Sequence, residues 1–350
     1  MFKIFKISLA IIALLATLFI IYLSYIIITD YSPKEIENAT IDGKSEKIMP
    51  IDKNFSVTTY NIGYCGLDKY QDFFMDGGTM SKSSSKEKTK ENLDSVLDFL
   101  KSTNSDFISI QEVDTNSTRS YHIDEKKAIE NEFKDYSQTF AYNYISKWVP
   151  VPLTDPMGHV ESGLLTLSKY KTSKSLRYAL PGKETFPRRY FMLDRCIIEN
   201  TVPLSNGKNL IFVNLHLSAF DKGGLIKAQQ LEFLLKYIKA KYTDGNYVVL
   251  SGDWNHLLSR TFLDTYKGKL PDWLALLPEE LFKEDFTLAT DESTMTIRST
   301  TTPYKKGTSF ETVIDGFYVS NNIEVLSVKG HDLGFEHTDH NPVTAVFKFK

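Results

Sequence analysis

Cysteine is scarce: the 350 residues contain two, Cys65 and Cys196. Such a pair gives no disulfide framework, and with no cluster of thiolates a structural zinc site is disfavoured. Both are expected as buried free thiols, Cys196 within an apolar stretch. An excess of one charge is also missing. Lys and Arg number 41 against 44 Asp and Glu, a formal net charge of −3. That balance gives no support to a broad nucleic-acid-binding surface, although a small metal-loaded cleft can be positive locally. No internal repeat is long enough to argue from. What is present reads as globular: 42% hydrophobic and 24% charged residues, with 23 Phe and 19 Tyr. The length suits two domains or one large α/β domain.

Charge is absent altogether from residues 7–28, "ISLAIIALLATLFIIYLSYIII". Twenty-two such residues suffice to cross a hydrocarbon core of about 30 Å. Lys3 and Lys6 precede the run and Asp30 follows it, so the positive-inside preference puts the N-terminus in the cytoplasm and the rest outside. Residues 1–29 are read as an uncleaved signal anchor. A cleaved signal peptide, which would leave a secreted protein, is the rival; its apolar region is normally shorter and no A-x-A-like site follows. Residues 30–54 are polar and mixed in charge, and read as a tether or a weakly ordered entry to a domain spanning 55–350.

From residue 55 strands and helices alternate. "FSVTTYN" (55–61), "DFISIQEVD" (106–114), "KNLIFVNLHLS" (208–218) and "NYVVLSGDWN" (246–255) predict strands that end in polar residues. Further strands are expected at 137–142, 163–168, 174–180, 190–199, 312–320, 323–329 and 342–349. "KENLDSVLDFLKS" (90–102) places Leu93, Val96, Leu97 and Leu100 on one helical face, and 225–242 forms a second amphipathic helix. Residues 68–87 and 146–162 read as loops; 256–311 has no clear pattern. This order predicts an α/β or α+β fold with mixed sheets.

The informative feature is one event repeated. Asn61 and Glu112 end their strands. Asn214 and His216 share a face, as do Asp253 and Asn255. Asp315 lies inside the apolar run "VIDGFYV", where a carboxylate is costly unless paired. Glu336, His337, Asp339 and His340 crowd the end of the chain. Each of these alone has an ordinary explanation as a cap, a turn or a solvated strand end. Together they point to an active site assembled from distant segments. The terminal "EHTDH" partly matches the H-x-H-x-D-H pattern of binuclear zinc hydrolases, but Glu336 replaces the first His, and that motif belongs near the start of its fold.

The ordered set Asn61, "QE" (111–112), "NLHL" (214–217), "GDWN" (252–255), "IDGFYVS" (314–320) and "HTDHNPV" (337–343) resembles the endonuclease/exonuclease/phosphatase superfamily of DNase I-like phosphoesterases, over roughly residues 55–350. The resemblance implies a four-layer sandwich, two mixed β-sheets face to face with helices outside. It implies Mg²⁺, or Mn²⁺ in its place, with Glu112 as the main ligand, Asn61 as a ligand through water or a phosphate contact, and Asp339 in the metal shell. It further implies that Asp253 orients or deprotonates the attacking water and that Asn255 binds a phosphate oxygen and positions Asp253. His216 would donate to another oxygen. His340 would be a second catalytic histidine with Asp315 behind it, and Asn214 would support His216 or the phosphate. A hard cation and such donors suit attack on an anionic phosphodiester.

The expected activity is a Mg²⁺-dependent phosphodiesterase on a phospholipid headgroup or small extracellular phosphodiester. An endonuclease, a phosphomonoesterase and a binding module are the alternatives. The chain is expected to act as a monomer, membrane-tethered through its N-terminal helix. The loop 68–87 and "VDTNSTRSYHID" (113–124) are candidate substrate walls. Arg119, His122, His159, Arg188, Arg189 and Arg195 are weighed as phosphate contacts without an assigned role.

Overall fold

The computed structural model describes residues 2–43, 45–219, 221, 223–259, 270–271, 273–278 and 284–350. A first helix, α1 (Phe2–Ile28), precedes strands β1 (Ile36–Asn38), β2 (Thr40–Asp42) and β3 (Phe55–Asn61). Then come α2 (Lys86–Thr103), β4 (Phe107–Asp114), α3 (Glu125–Glu132), β5 (Ser137–Val149), β6 (Gly158–Ser168) and β7 (Lys174–Ala179). Next are β8 (Cys196–Pro203), β9 (Asn209–His216), α4 (Leu225–Thr243) and β10 (Tyr247–Asp253). The short strands β11 (His256–Leu257), β12 (Ala275–Leu276), β13 (Phe286–Ala289), β14 (Ile297–Arg298) and β15 (Glu311–Thr312) lead to β16 (Asp315–Ser320), β17 (Ile323–Gly330) and β18 (Val343–Phe349).

Two sheets of seven strands result, in the orders β1-β7-β8-β9-β10-β16-β13 and β17-β18-β3-β4-β6-β5-β2. Both are mixed: β9 runs parallel to β10, and β3 parallel to β4, among antiparallel neighbours. Period-two alternation sorts each strand between two cores. In β9, Ile211, Val213 and Leu215 face outward to Leu231, Leu234 and Ile238 of α4. Leu210 and Phe212 face inward and meet Phe55, Phe107, Phe317 and Phe347 between the sheets. Phe107 stacks on Phe212 across the gap, with ring centroids 4.7 Å apart. On the far side, Leu93, Val96, Leu97 and Leu100 of α2 and Ile129 of α3 cover Ile108 and Ile110. The layers are therefore helix, sheet, sheet, helix, as expected.

Local chemistry explains where elements begin. The α2 helix starts earlier than its apolar stripe because the Ser85 hydroxyl caps the backbone N–H of Lys88 at 3.0 Å; Asn104 ends it in a left-handed conformation. Residues 190–199 are not one strand. Arg188–Phe191 form a short 3₁₀ turn after Pro187, the strand begins only at Cys196, which pairs with Ala179 of β7, and pairing with β9 runs from Ile197 to Pro203. The segment 30–54 is more ordered than a tether: β1 pairs with β7 in one sheet and β2 with β5 in the other. Both cysteines are buried and free. Within 256–311, residues 260–269, 272 and 279–283 lie outside the described residues. The α1 helix is apolar and long enough to cross a membrane; a signal sequence meets the same criterion.

Two substitutions test this packing. Phe107→Ala removes a ring that is fully buried between the sheets and is expected to cost about 3–5 kcal/mol in chemical denaturation. Gly252→Ala would bring its Cβ to 2.0 Å from the Leu215 carbonyl oxygen, so a loss of at least about 2 kcal/mol is expected from the forced separation of β9 and β10.

Candidate active site

The inter-sheet face changes character along its length. In β9 the inward side chains run Leu210, Phe212, Asn214, His216. In β10 they run Val249, Ser251, Asp253; in β4, Phe107, Ser109, Gln111; in β3, Phe55, Val57, Thr59, Asn61. Each strand begins apolar and ends polar. Register aligns these ends. His216 pairs with Asp253, Asp253 pairs with Asp315, and in the facing sheet Asn61 pairs with Gln111. Strands of both sheets thus deliver polar groups to one end of the sandwich. That end opens into a cleft of about 140 Å³ whose lining includes Glu112, His216, Asp253, Asn255, Asp339 and His340.

Distances define its centre. The His340 Nδ1 lies 2.9 Å from Asp315 Oδ2, and its Nε2 lies 3.8 Å from Asp253 Oδ2. The His216 Nε2 lies 3.4 Å from the same Asp253 oxygen and 4.0 Å from Glu112 Oε1. The Asn61 amide donates across the gap to Asp253 Oδ2 at 3.1 Å and to Glu112 Oε1 at 3.3 Å. The Asn255 N–H donates to the other Asp253 oxygen at 2.8 Å, from a left-handed backbone with φ 47°.

Electrostatics separate the two histidines. Burial opposes the charged form of His340, but the Asp315 carboxylate and its hydrogen bond, with Asp339 and Asp253, push its pKa up to about 10. Burial holds His216 well below the usual range, and Arg195, His340 and Arg119 add to this. Burial and then Asp315 push Asp253 up to about 7, against the opposing pull of His340. Burial also raises Asp339.

Glu112 is aimed by a defect in its strand. The register of β4 against β6 shifts between Ile110 and Val113, and Glu112 sits there at φ 57°. A regular strand would place it on the outer face with Ile108 and Ile110. Asp339 reaches the same region because residue 63 lacks a side chain: a Cβ on Gly63 would lie 2.7 Å from Asp339 Oδ1. The Asn61 side-chain oxygen accepts the Gly63 N–H at 3.1 Å. This side chain therefore clamps the Glu112 and Asp253 carboxylates and the turn.

Not every candidate reaches the cleft. Asn214 is fully buried and turned to the opposite sheet, accepting from Gln111 Nε2 at 2.8 Å and donating to the Leu165 carbonyl at 3.0 Å. It staples the sheets, and sharing a face with His216 did not distinguish the two. Asn255 lines the cleft, with an amide N–H given to the Leu217 carbonyl at 2.9 Å. Arg119 lines it too but is held by Asp114 at 2.8 Å. His122 bonds Asn116, His159 pairs with Glu161, and Arg188 with Glu184; none of the three lines the cleft. Two cations carried no motif signal. Lys227, buried on α4, donates to the Asn255 carbonyl at 2.9 Å, and burial lowers its pKa to about 8. Arg195 lines the cleft with a buried Nη1 that has no hydrogen-bond partner.

Asp253, Asp315 and His340 each offer a ligand atom within 4.8 Å of the others and could hold a divalent metal ion. The residues fit such an ion. The Asp315 Oδ1 is buried without a hydrogen-bond partner, and two nearby carboxyls are raised by burial. A cation at these oxygens would relieve all three, and an oxygen-rich set free of thiolates suits Mg²⁺ or Mn²⁺.

A model described as "Endonuclease/Exonuclease/phosphatase family" matches residues 58–340. The chain belongs to that family. Family membership and the metal-competent cluster make it a metal-dependent phosphoric ester hydrolase. Solved structures share the fold of this family member. An endonuclease/exonuclease/phosphatase from Beutenbergia cavernae DSM 12333 is 13% identical with a TM-score of 0.57, over 85% of this chain and 72% of its own. D. rerio TDP2, complexed with single-strand DNA product, is 14% identical with a TM-score of 0.53, over 85% and 100%. The human Nocturnin catalytic domain, with bound sulfate, is 15% identical with a TM-score of 0.54, over 85% and 94%. At these identities the likeness is one of fold. No curated protein matches the chain.

The two raised pKa values set a pH dependence, best measured as urea midpoints in EDTA. With its pKa raised from 6.5 to about 10, His340 binds its proton more tightly when folded. The stability it contributes is fully present below pH 6.5 and is lost as pH rises through about 10. Asp253, raised from 3.8 to about 7, retains a proton that the unfolded chain has released, so stability also falls from about pH 4 to 7. His340→Gln is expected to flatten the upper part of this decline, and Asp253→Asn the lower.

Proposed function

We propose that this family member hydrolyses a phosphodiester by direct attack of water, with the reacting phosphate between Glu112, His216, Asp253 and His340. The observation that carries this reading is Asp253, a buried carboxyl with a pKa of about 7 that lies within 4 Å of two imidazoles of opposite tendency. A carboxylate poised near neutrality takes a proton from water efficiently. Asn61 and the Asn255 N–H hold its two oxygens in place. Asp315 fixes the His340 ring through Nδ1, leaving a charged Nε2–H to donate to a phosphate oxygen where charge develops. His216, kept neutral, donates a single N–H from the opposite side. We assign the metal to Glu112, held by Asn61, and Asp339 in preference to the Asp253, Asp315 and His340 cluster, because the Asp315 hydrogen bond keeps the His340 imidazole protonated and so unable to serve as a ligand; an ion bound there would supply Lewis-acid polarisation of a phosphoryl oxygen.

We read α1 as a signal anchor with the domain outside the cell, and the chain as a monomer. A phospholipid headgroup or small extracellular phosphodiester is then the substrate that geometry favours. An endonuclease is the second reading, supported by the fold shared with D. rerio TDP2 in complex with single-strand DNA product.

Full-length chain in detergent, given a chromogenic phosphodiester, is expected to turn over with Mg²⁺ and not in EDTA. His340→Ala should lower kcat by about 10²–10⁴-fold, while Glu112→Gln should raise the Mg²⁺ concentration needed for half-maximal rate. Nicking of plasmid DNA without release of phospholipid headgroup would favour the endonuclease reading. Turnover that survives in EDTA would overturn the mechanism.

A further inference from the structure

A second cavity, of about 940 Å³, adjoins the catalytic cleft. It is far larger than a phosphate requires and lies near the top of the roughly 300–1,000 Å³ range of small-molecule sites. The two spaces share Met192, Leu193, Arg195 and Ala219 as lining. They therefore lie side by side, with the Arg195 guanidinium, whose Nη1 is buried without a hydrogen-bond partner, at their shared wall. The walls of the larger cavity include Leu180, Ile226 and Phe233, with Lys183, Glu184 and Lys236 also in its lining. Apolar and charged lining together suit an amphipath.

Its position matters as much as its chemistry. Asp30, Ser32 and Pro33, immediately after α1, line the cavity. Ile36 pairs with Tyr178 on the cavity wall, which fixes this segment to the domain. The cavity lining therefore reaches the point where the apolar helix ends. Two further features bear large apolar side chains there. The loop 181–187, which forms part of the cavity wall, exposes Phe186 at 61%. The β5–β6 hairpin exposes Trp148, Val151 and Leu153, the last at 87%, and Tyr22 of α1 donates to the Trp148 carbonyl at 2.9 Å. Exposed apolar residues on features that neighbour a membrane-length helix mark a surface that rests on the bilayer.

We infer that the 940 Å³ cavity is a lipid-chain subsite: it receives the apolar part of a membrane phosphodiester lipid drawn from the bilayer that holds α1, while Arg195 meets the phosphate at the junction with the cleft. The inference rests on the phosphodiesterase reading and on α1 spanning the membrane. It adds the substrate class and a binding site outside the motifs. The small catalytic cleft takes only the phosphate and what lies beyond it, and the chain remains beside α4 and β7.

The test uses full-length chain in phosphatidylcholine vesicles containing a few per cent of a phosphatidylcholine with a diazirine at the end of one acyl chain. Irradiation in EDTA, followed by peptide mass spectrometry, reads occupancy without turnover. Adducts are expected on residues 178–182 and 226–237, and not only on 2–28. Ala179→Trp and Ile226→Trp fill the cavity from β7 and from α4; either, if folded, should reduce those adducts at least tenfold relative to the adducts on 2–28. Adducts confined to 2–28 and 148–153 would overturn the subsite, as would cavity adducts that neither filled variant reduces. The same preparation is assayed on a water-soluble phosphodiester with Mg²⁺. Turnover without cavity adducts removes the subsite and keeps the reaction. Cavity adducts without turnover keep the lipid site and remove the reaction.

Discussion

The structure depends on one constraint: two sheets share an interior that is dry at one end and polar at the other. Phe55, Phe107, Phe212 and Phe317 fill the dry end. The polar end cannot be left to itself, because buried amides and carboxylates without partners are costly. Asn214 and Gln111 meet that demand by bonding across the gap, and Asn61 does so by reaching Asp253. The stapling that closes the sandwich is the same network that positions the reactive groups. Stability and chemistry are therefore coupled through a handful of side chains and cannot be tuned independently.

That arrangement also explains why the ionisable groups differ so strongly from their solution behaviour. Asp253 and Asp315 face each other in register on adjacent strands, and the Asp315 carboxylate helps to push the Asp253 carboxyl up to about 7. His340 lies beside them, and its proton offsets part of their charge. His216, without a carboxylate hydrogen bond, is driven to neutrality by burial. One set of strand ends produces a base near neutrality, a persistent acid and a neutral donor. Backbone irregularities complete the site: the bulge that turns Glu112 inward and the bare turn at Gly63 under Asp339. Local strain at these positions is tolerated because the surrounding sheets are closely packed.

Much of this was legible in the chain. Alternation at period two and stripes on two helices marked most of the strands and both flanking helices, because burial on one face dictates residue choice there. Polar residues at the ends of apolar strands marked the site, since such residues rarely close a core without purpose. The ends of elements were less visible. Ser85 extended α2 beyond its apolar stripe, and the 3₁₀ turn at Arg188–Phe191 stood where a strand was expected. Residues 30–54 lacked pattern because strands as short as Ile36–Asn38 bury too little to leave one.

Sequence by itself determined the inventory: an apolar N-terminal helix, a sandwich of two mixed sheets, and an ordered set of amides, carboxylates and histidines matching a phosphoesterase family. Only the tertiary structure decided which of them meet. Asn214 and His216 share a face two residues apart, yet the opposite sheet takes the first and the cleft the second. Arg195 and Lys227 carry no motif, and their place beside Asp253 and Asn255 follows from how a loop and a helix lie over β9 and β10. The large cavity is a product of packing among α1's exit, β7 and α4. Contacts between segments far apart in the chain depend on register and layer spacing, and these are set by the whole core and by no local stretch.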